Sequence, residues 1–115
     1  YVNWFRKSAE GKFFWPGYGE NSRVLKWVFE RVTGAAEAVE TPIGRLPAPG
    51  ALDTTGLNVA PAAMEELTKV DVDGWSAQLA EIKKHYEKFG AKLPQGLKDE
   101  LASLEKRLQS AGAKV

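Results

Sequence analysis

The sequence predicts one small α+β domain in which short strands and loops come first and helices follow. Its 115 residues suffice for one domain, and 43% hydrophobic with 27% charged residues is a globular composition. Six of the twelve aromatic residues lie between Trp4 and Tyr18, where Gly and Pro interrupt regular structure. After residue 74, apolar residues recur at steps of three and four, which is typical of amphipathic helices.

The composition excludes several classes of protein. A formal net charge of +1 argues against a general polyanion binder. Without Cys the chain has no disulfide or thiolate site, and a single His cannot form a multi-His zinc site. No apolar run reaches the roughly 20 residues of a membrane helix, so we expect no membrane contact. The absence of Cys is compatible with the cytosol, and a cytoplasmic location is expected. Because the chain begins at Tyr1 without a signal-like segment, we expect a processed product or a piece of a longer protein.

The first part of the chain is predicted to be extended at residues 1–6 and again at residues 13–15. Aromatic and β-branched residues favour strands there, and residues 9–12 form the turn between them. Residues 16–19 then end any regular structure, because they contain Pro and two Gly. Trp4, Phe14 and Trp15 are the expected core residues of this part.

A helix is expected from about Glu20 or Asn21 to Gly34. Asn21 is the expected N-cap, because its side-chain oxygen can accept from an otherwise unpaired backbone N–H. Gly34 suits the left-handed position after a helix. One face of this helix carries the apolar residues Val24, Val28 and Val32, with Leu25 and Phe29 beside them.

The middle of the chain is predicted to be largely irregular. Residues 41–61 contain four Pro and three Gly, a density that excludes a long helix. A short strand is expected around Ile43–Leu46. Pro61 can start a short helix through Met64 and Leu67, because its missing N–H costs nothing in a first helical turn.

The last part of the chain is predicted to be an antiparallel pair of helices. Asp73 can cap a helix that runs to about Phe89, and a second helix runs from about Pro94 to Ser110. The short linker favours antiparallel packing. The apolar stripes are Trp75, Leu79, Ile82, Tyr86 and Phe89 on the first helix and Leu97, Leu101, Leu104 and Leu108 on the second.

The aromatic segment, residues 4–18, is the best candidate for a binding site. Its rings cluster around turns rather than following a helix or strand period, as a site that stacks a planar ligand requires. Stacking on a nucleobase contributes about 1–3 kcal/mol per base but discriminates poorly between bases. An amide at the base edge adds discrimination, and Asn21 offers both a donor and an acceptor.

Two other interpretations remain open on the residues alone. Trp4, Phe5, Phe13 and Trp15 alternate with Arg6, Lys7 and Lys12, which suits a module for single-stranded nucleic acid. The helical pair suits an interaction scaffold in which the aromatic segment is only a second core. No nucleophile–base pair, no separated carboxylate pair and no phosphate-binding glycine motif is found, so the sequence predicts neither catalytic residues nor metal ligands.

Three runs of residues are specific enough to indicate a family. They are Asn-Trp-Phe-Arg-Lys at 3–7, Gly-Lys-Phe at 11–13 and Trp-Pro-Gly-Tyr-Gly-Glu-Asn-Ser-Arg-Val-Leu at 15–25. These runs closely resemble the C-terminal region of GTP-dependent phosphoenolpyruvate carboxykinases. Agreement continues through Thr-Pro-Ile-Gly at 41–44, Ala-Leu-Asp at 51–53 and the helix from Trp75 to Phe89, so it covers essentially the whole chain.

The resemblance implies a guanine pocket and a parent enzyme with an α/β fold. Phe5 and Tyr18 match the rings that sandwich the guanine, Phe13 matches a third ring with Trp4 beside it, and Asn21 matches the amide at the guanine edge. The family usually has Phe where this chain has Tyr18. Residues 1–34 would then be the guanine-pocket segment, residues 35–72 an irregular connector and residues 73–115 a helical hairpin, all in the nucleotide-binding lobe.

The resemblance also implies a reaction that this chain cannot complete alone. The family converts oxaloacetate and GTP to phosphoenolpyruvate, GDP and carbon dioxide in gluconeogenesis, with Mn²⁺ and Mg²⁺. Its phosphate-binding loop, metal ligands, substrate-binding Arg residues and lid precede this region, and this chain contains none of them. The expected partners are a guanine nucleotide and the rest of the carboxykinase chain, not nucleic acid, and the chain alone is expected to be inactive.

Overall fold

The computed structural model describes residues 2–113, and within them it confirms a mixture of helices and strands. The elements are α1 Asn21–Val32, β1 Ala38–Thr41, β2 Gly44–Pro47, α2 Pro61–Thr68, α3 Val72–Glu87 and α4 Gln95–Gly112. The chain divides into two compact units, residues 2–40 with 45–69 and residues 41–44 with 70–113. No helix in the described part is long and apolar enough to cross a membrane.

The strands predicted at residues 1–6 and 13–15 are wrong where the structure describes the chain; Tyr1 lies outside the described residues. The Asn3 side-chain oxygen accepts a hydrogen bond from the Phe5 backbone N–H at 3.0 Å and turns the chain. A single antiparallel bridge joins Lys7 to Phe13. The Phe14 N–H also donates to the Arg6 carbonyl at 3.0 Å, so residues 6–14 form a closed loop rather than a sheet.

Helix α1 is confirmed, but Asn21 is not its N-cap. A one-turn 3-10 helix, Tyr18–Glu20, leads directly into α1, and Glu20 precedes α1 without capping a backbone N–H through its side chain. Asn21 already has helical backbone angles, and its own N–H donates to the carbonyl of Tyr18. A side-chain cap requires a non-helical backbone at the capping residue, so neither Glu20 nor Asn21 caps the helix, and the Asn21 side chain is free for another partner. Gly34 has a φ of 84°, as the sequence predicts.

The predicted apolar face of α1 is largely exposed. Trp27 is the buried residue of this helix, and its indole N–H donates to the Glu37 carbonyl at 3.2 Å. Four apolar residues on the opposite side form the α1 outer face, and all are exposed: Leu25, Val28, Phe29 and Val32. The helix is therefore apolar on two sides.

The middle of the chain contains a small antiparallel sheet formed by β1 and β2. β2 overlaps the strand predicted around Ile43–Leu46, whereas β1 has no counterpart in the sequence prediction. In the turn, the Thr41 hydroxyl donates to the Gly44 carbonyl at 2.6 Å. The short helix that begins at Pro61 is confirmed as α2.

In the second unit, α3 and α4 pack against each other. Leu79 and Leu108, one from each predicted stripe, are buried. Lys83 of α3 and Glu105 of α4 form an ion pair at 2.9 Å. The cap of α3 is Asp71, which accepts from the Gly74 N–H at 2.9 Å; the predicted cap, Asp73, lies within the first turn instead.

Candidate functional site

The rings of the aromatic segment are divided between core and surface. Trp15 is buried, with 6% of its surface accessible, and Trp4 and Phe14 are half-buried. In contrast, Phe5 is 74% exposed, Phe13 56% and Tyr18 98%. Because most of each ring faces solvent, these three rings are available to a ligand or a partner.

Tyr18 combines full exposure with an unfavourable backbone. Its φ is 48°, and it is the non-glycine residue with positive φ in the described chain. Left-handed backbone costs an L-residue about 1–2 kcal/mol. Gly17 before it has a φ of 75°, where the missing side chain relieves the strain. The loop therefore holds an exposed ring in a costly conformation, and such outliers concentrate at functional sites.

Phe5 and Phe13 lie side by side across the closed loop. Their ring centroids are 6.4 Å apart with an edge-to-face angle of 63°. The Lys7 ammonium lies 4.7 Å from the centroid of Phe13, within the range of a cation–π contact. Tyr18 makes no ring contact with another described aromatic residue. The structure thus brings together two of the predicted ligand rings and holds the third apart from them.

Arg6 fixes the base of this loop. Its guanidinium donates to the Glu66 carbonyl at 2.6 Å and to the Glu66 carboxylate at 2.7 Å. It also lies 6.0 Å from the centroid of Phe14. Because Glu66 belongs to α2, these bonds tie the loop that carries Phe5 and Phe13 to a helix of the same unit.

Asn21 is held by a residue that the sequence analysis assigned to the core. The Trp15 indole N–H donates to the Asn21 side-chain oxygen at 3.0 Å. No described protein atom accepts a hydrogen bond from the Asn21 side-chain nitrogen. The two residues are six positions apart and separated by a Pro-Gly turn, so no helix or strand period signals the contact.

The start of α1 is braced by Arg23. This side chain donates to the Glu20 carboxylate and, at 3.0 Å, to the Asp53 carbonyl. The Asp53 carboxylate in turn accepts the Thr55 backbone N–H at 3.0 Å. The backbone and side chain of Thr55, more than the nearby Arg23, hold the pKa of Asp53 below its ordinary value. These bonds anchor the turn from which Asn21 projects.

Other parts of the described chain contain weaker candidates for a binding site. A depression of about 330 Å³ is lined by Glu30, Glu37 and residues 35–36 and 49–51, and it contains none of the predicted site residues. Within residues 2–113, no group of three or more His, Asp or Glu side chains could hold a metal ion. His85 of α3 is exposed, and its ring centroid lies 5.4 Å from that of Phe89, which follows the helix.

Comparison with known proteins identifies the family. The family model of the phosphoenolpyruvate carboxykinase C-terminal P-loop domain matches residues 1–107. The chain belongs to the GTP-dependent phosphoenolpyruvate carboxykinase family. Phosphoenolpyruvate carboxykinase [GTP] of Treponema pallidum (strain Nichols) is 56% identical over 111 residues, 96% of this chain. The enzymes of Neocallimastix frontalis and Arthrobacter sp. (strain FB24) are 54% and 52% identical over 96% and 93% of it.

The chain spans only a small part of these carboxykinases. Its match covers 18% of the length of each of the three relatives. The matched domain is described as a P-loop domain, yet this sequence contains no Gly-x-x-x-x-Gly-Lys-Ser/Thr run. This part of the carboxykinase sequence therefore contains the aromatic segment and Asn21, but it does not contain the Gly-x-x-x-x-Gly-Lys-Ser/Thr motif that binds phosphate.

Proposed function

We propose that this chain supplies the guanine-binding pocket of a GTP-dependent phosphoenolpyruvate carboxykinase. Residues 1–34 form the pocket segment, residues 35–72 connect it to the helices, and residues 73–115 form the helical hairpin of the same nucleotide-binding lobe. One observation carries the proposal: exposed rings at Phe5, Phe13 and Tyr18 occur in the same compact unit as the Asn21 amide.

In this proposal the guanine stacks between Phe5 and Tyr18. Both rings present most of their surface to solvent, so a base gains the full stacking contribution without displacing packed side chains. That contribution is about 1–3 kcal/mol per ring, judged from alanine substitutions. Phe13 forms the third wall of the pocket through its contact with Phe5, and Trp4 lies beside it. The hydroxyl of Tyr18 stays in water, so Tyr in place of Phe keeps the stacking face.

The reaction belongs to the whole enzyme. Decarboxylation of oxaloacetate yields an enolate, which takes the terminal phosphoryl group of GTP to give phosphoenolpyruvate, GDP and carbon dioxide. Mn²⁺ and Mg²⁺ would stabilise the charge of the phosphates during transfer. The described residues do not offer a metal site, so their part is to bind and orient the nucleotide at its base. The proposed setting is gluconeogenesis in the cytoplasm.

The remainder of the carboxykinase chain is the proposed partner of the α1 outer face. Phe29 is 70% exposed and Val32 82%, while Trp27 on the opposite side is buried. A contiguous set of exposed apolar side chains marks an interaction surface. The relatives have more than four-fifths of their length outside the matched region, and this polypeptide is the occupant that we assign to the face.

Nucleotide binding tests the pocket. Trp4 and Trp15 flank it, so quenching of tryptophan fluorescence can be followed without a label. We expect saturable quenching by GDP and not by ADP, first with the 115-residue chain and then with a full-length carboxykinase that carries this sequence. A Phe5→Ala variant should lose affinity about 10-fold or more, because one stacking face is gone. Equal responses to GDP and ADP in the full-length enzyme would contradict the proposal.

Single-stranded nucleic acid is the less favoured ligand. Arg6 is engaged by Glu66, and Lys7 lies against Phe13, so two of the three cations of the aromatic segment have protein partners. A nucleic-acid site needs such cations for phosphates, and its affinity falls steeply with salt. Titrations with a single-stranded oligonucleotide and with free guanine, each at about 50 and about 200 mM salt, separate the two. A nucleic-acid site should lose oligonucleotide affinity steeply, whereas binding of the free base should change little.

A further inference from the structure

We propose that Trp15 is a positioning residue that makes Asn21 select an acceptor at position 6 of the purine. This inference rests on the proposed guanine pocket and deepens it. Its basis is the hydrogen bond from the Trp15 indole N–H to the Asn21 side-chain oxygen, 3.0 Å long and partly buried. Trp15 itself is 6% exposed, so its ring cannot turn away from this contact without leaving the core.

The bond fixes which end of the amide a ligand meets. A tryptophan indole only donates, so the atom facing it must be the amide oxygen. The amide nitrogen then points away from Trp15 with two N–H donors, neither of which has an acceptor among the described protein atoms. The backbone of Asn21 lies in the first turn of α1, and the helix therefore fixes the position of its Cα and Cβ atoms.

A fixed amide nitrogen distinguishes guanine from adenine. At position 6 guanine carries a carbonyl oxygen, which accepts, whereas adenine carries an amino group, which donates. A free Asn amide can serve either base by turning over, since it has a donor end and an acceptor end. The Asn21 oxygen is bonded to Trp15, so the Asn21 amide nitrogen faces the base. It can donate a hydrogen bond to O6 of guanine, but opposite the amino group of adenine two donors face each other and no hydrogen bond forms.

The assignment explains why a buried Trp is used at this position. A Phe would also bury an aromatic ring there, although a smaller one, but it would leave the amide oxygen without a partner and the amide free to turn. Trp27 provides an internal comparison, because it is also buried in this unit and its indole N–H also bonds a protein oxygen, the Glu37 carbonyl at 3.2 Å. That bond does not involve Asn21 and should not influence base choice.

The test compares diphosphates that differ at one position of the base. Inosine diphosphate shares O6 with GDP and lacks only its 2-amino group, while ADP has the amino group at position 6. We would measure dissociation constants of all three by calorimetry, in a full-length carboxykinase carrying this sequence, for the unsubstituted protein and for Trp15→Phe and Trp27→Phe. Loss of one neutral hydrogen bond predicts that Trp15→Phe lowers the preference for inosine diphosphate over ADP about tenfold.

The other affinity ratios distinguish a positioning role of Trp15 from a general loss of structure in the variant. In Trp15→Phe the ratio of GDP to inosine diphosphate affinity should stay unchanged, since Asn21 in this proposal contacts position 6 of the base and not its 2-amino group. In Trp27→Phe all ratios should stay unchanged even if the protein is less stable. Replacing Trp15 with its benzothiophene analogue keeps the ring shape and removes only the N–H, so it tests the bond if Trp15→Phe fails to fold.

Failure of the inference and failure of the proposed pocket are distinguishable. An unsubstituted protein that prefers GDP and inosine diphosphate to ADP, with variants at Trp15 that keep this preference, would overturn the role of Trp15 and leave the pocket standing. An unsubstituted protein without preference among the three nucleotides would overturn both.

Discussion

Arg6 and Glu66 are 60 positions apart, and two hydrogen bonds of 2.6 and 2.7 Å join them. They connect the loop that carries Phe5 and Phe13 to helix α2. One bond reaches the Glu66 main chain and the other its carboxylate, so the guanidinium holds both the helix backbone and the side chain. The loop has little regular structure of its own, and this contact gives it a defined place within the first unit.

Substituting Arg6 should therefore destabilise the chain more than breaking an ordinary surface pair. We expect Arg6→Met to lower the free energy of unfolding by about 1–2 kcal/mol, because a charged donor of two partly buried bonds is lost. Urea denaturation measures this change. Arg45→Met is the matched control: its pair with Glu40 is exposed on both sides and should contribute less than about 1 kcal/mol. Equal losses in the two variants would argue against the role of Arg6.

Replacing Tyr18 with Gly should weaken nucleotide binding without lowering the stability of the fold. Tyr18→Gly relieves the left-handed backbone, so we expect an unfolding free energy that is unchanged or raised by up to about 1 kcal/mol. The same variant should bind GDP about 10-fold or more weakly, because a stacking ring is removed. Tyr18→Phe should retain both properties. Thermal melting and calorimetry on the three proteins give both quantities, and a large loss of stability in Tyr18→Gly would show that the ring is structural.

The α1 outer face should matter only where the rest of the enzyme is present. In the 115-residue chain, Phe29→Lys should change the unfolding free energy by less than about 0.5 kcal/mol, because the ring is exposed. In a full-length carboxykinase the same change should cost about 3 kcal/mol or more, since a charge would then be buried without a partner. Val39→Lys, at another exposed apolar residue, should be mild in both. If Phe29→Lys had an equally small effect in both proteins, the proposal that the rest of the carboxykinase covers the α1 outer face would be contradicted.

The Asp53 carboxyl should titrate with a pKa below the ordinary value of 3.8. Thr55 supplies the main cause by donating from its backbone N–H, which favours the ionised form. A lowered pKa in the folded state contributes stability above pH 3.8, and that contribution disappears as the pH falls through the folded pKa. Thr55→Pro removes the backbone donor and should return the pKa to its usual range, while Thr55→Val keeps that donor and should shift it less. NMR titration of the Asp53 carboxyl carbon provides the measurement.

Elements with a clear period or start signal could be predicted from the sequence. Pro61 marks the start of α2, and Gly34 marks the end of α1. The leucines of the last helix gave its extent to within two residues at its C-terminal end. These signals work because they are local: a missing N–H, a left-handed turn or a repeating apolar side chain acts within a few residues.

Features that depend on neighbours in space were missed. Residues 1–6 contain strand-forming side chains, but the turn at Asn3 leaves them without a partner strand. Asn21 has the side chain of a cap, yet the 3-10 turn before it supplies helical backbone and directs the amide to Trp15. Asp71 caps α3 although Asp73 offers the same side chain two positions later.

The candidate site also has features that the sequence predicts and features that depend on residues distant in the sequence. The resemblance of residues 3–25 to carboxykinases predicts five site residues, Trp4, Phe5, Phe13, Tyr18 and Asn21. Their role stays a prediction; the structure shows that three of them, Phe5, Phe13 and Tyr18, are exposed rings. The contacts that hold them in place, Arg6 with Glu66 and Trp15 with Asn21, join residues whose spacing has no pattern in the sequence.

The pairing of α3 with α4 has a kinetic consequence. The two helices are linked by residues 88–94 alone, and their buried residues and the Lys83–Glu105 ion pair join positions that are close along the chain. Contacts of this kind require little loop closure, so helical pairs form in microseconds to milliseconds. The first unit must instead bring Arg6 to Glu66 across 60 positions, which closes a longer loop. Amide hydrogens of α3 and α4 should therefore become protected first when the denatured chain is returned to native conditions.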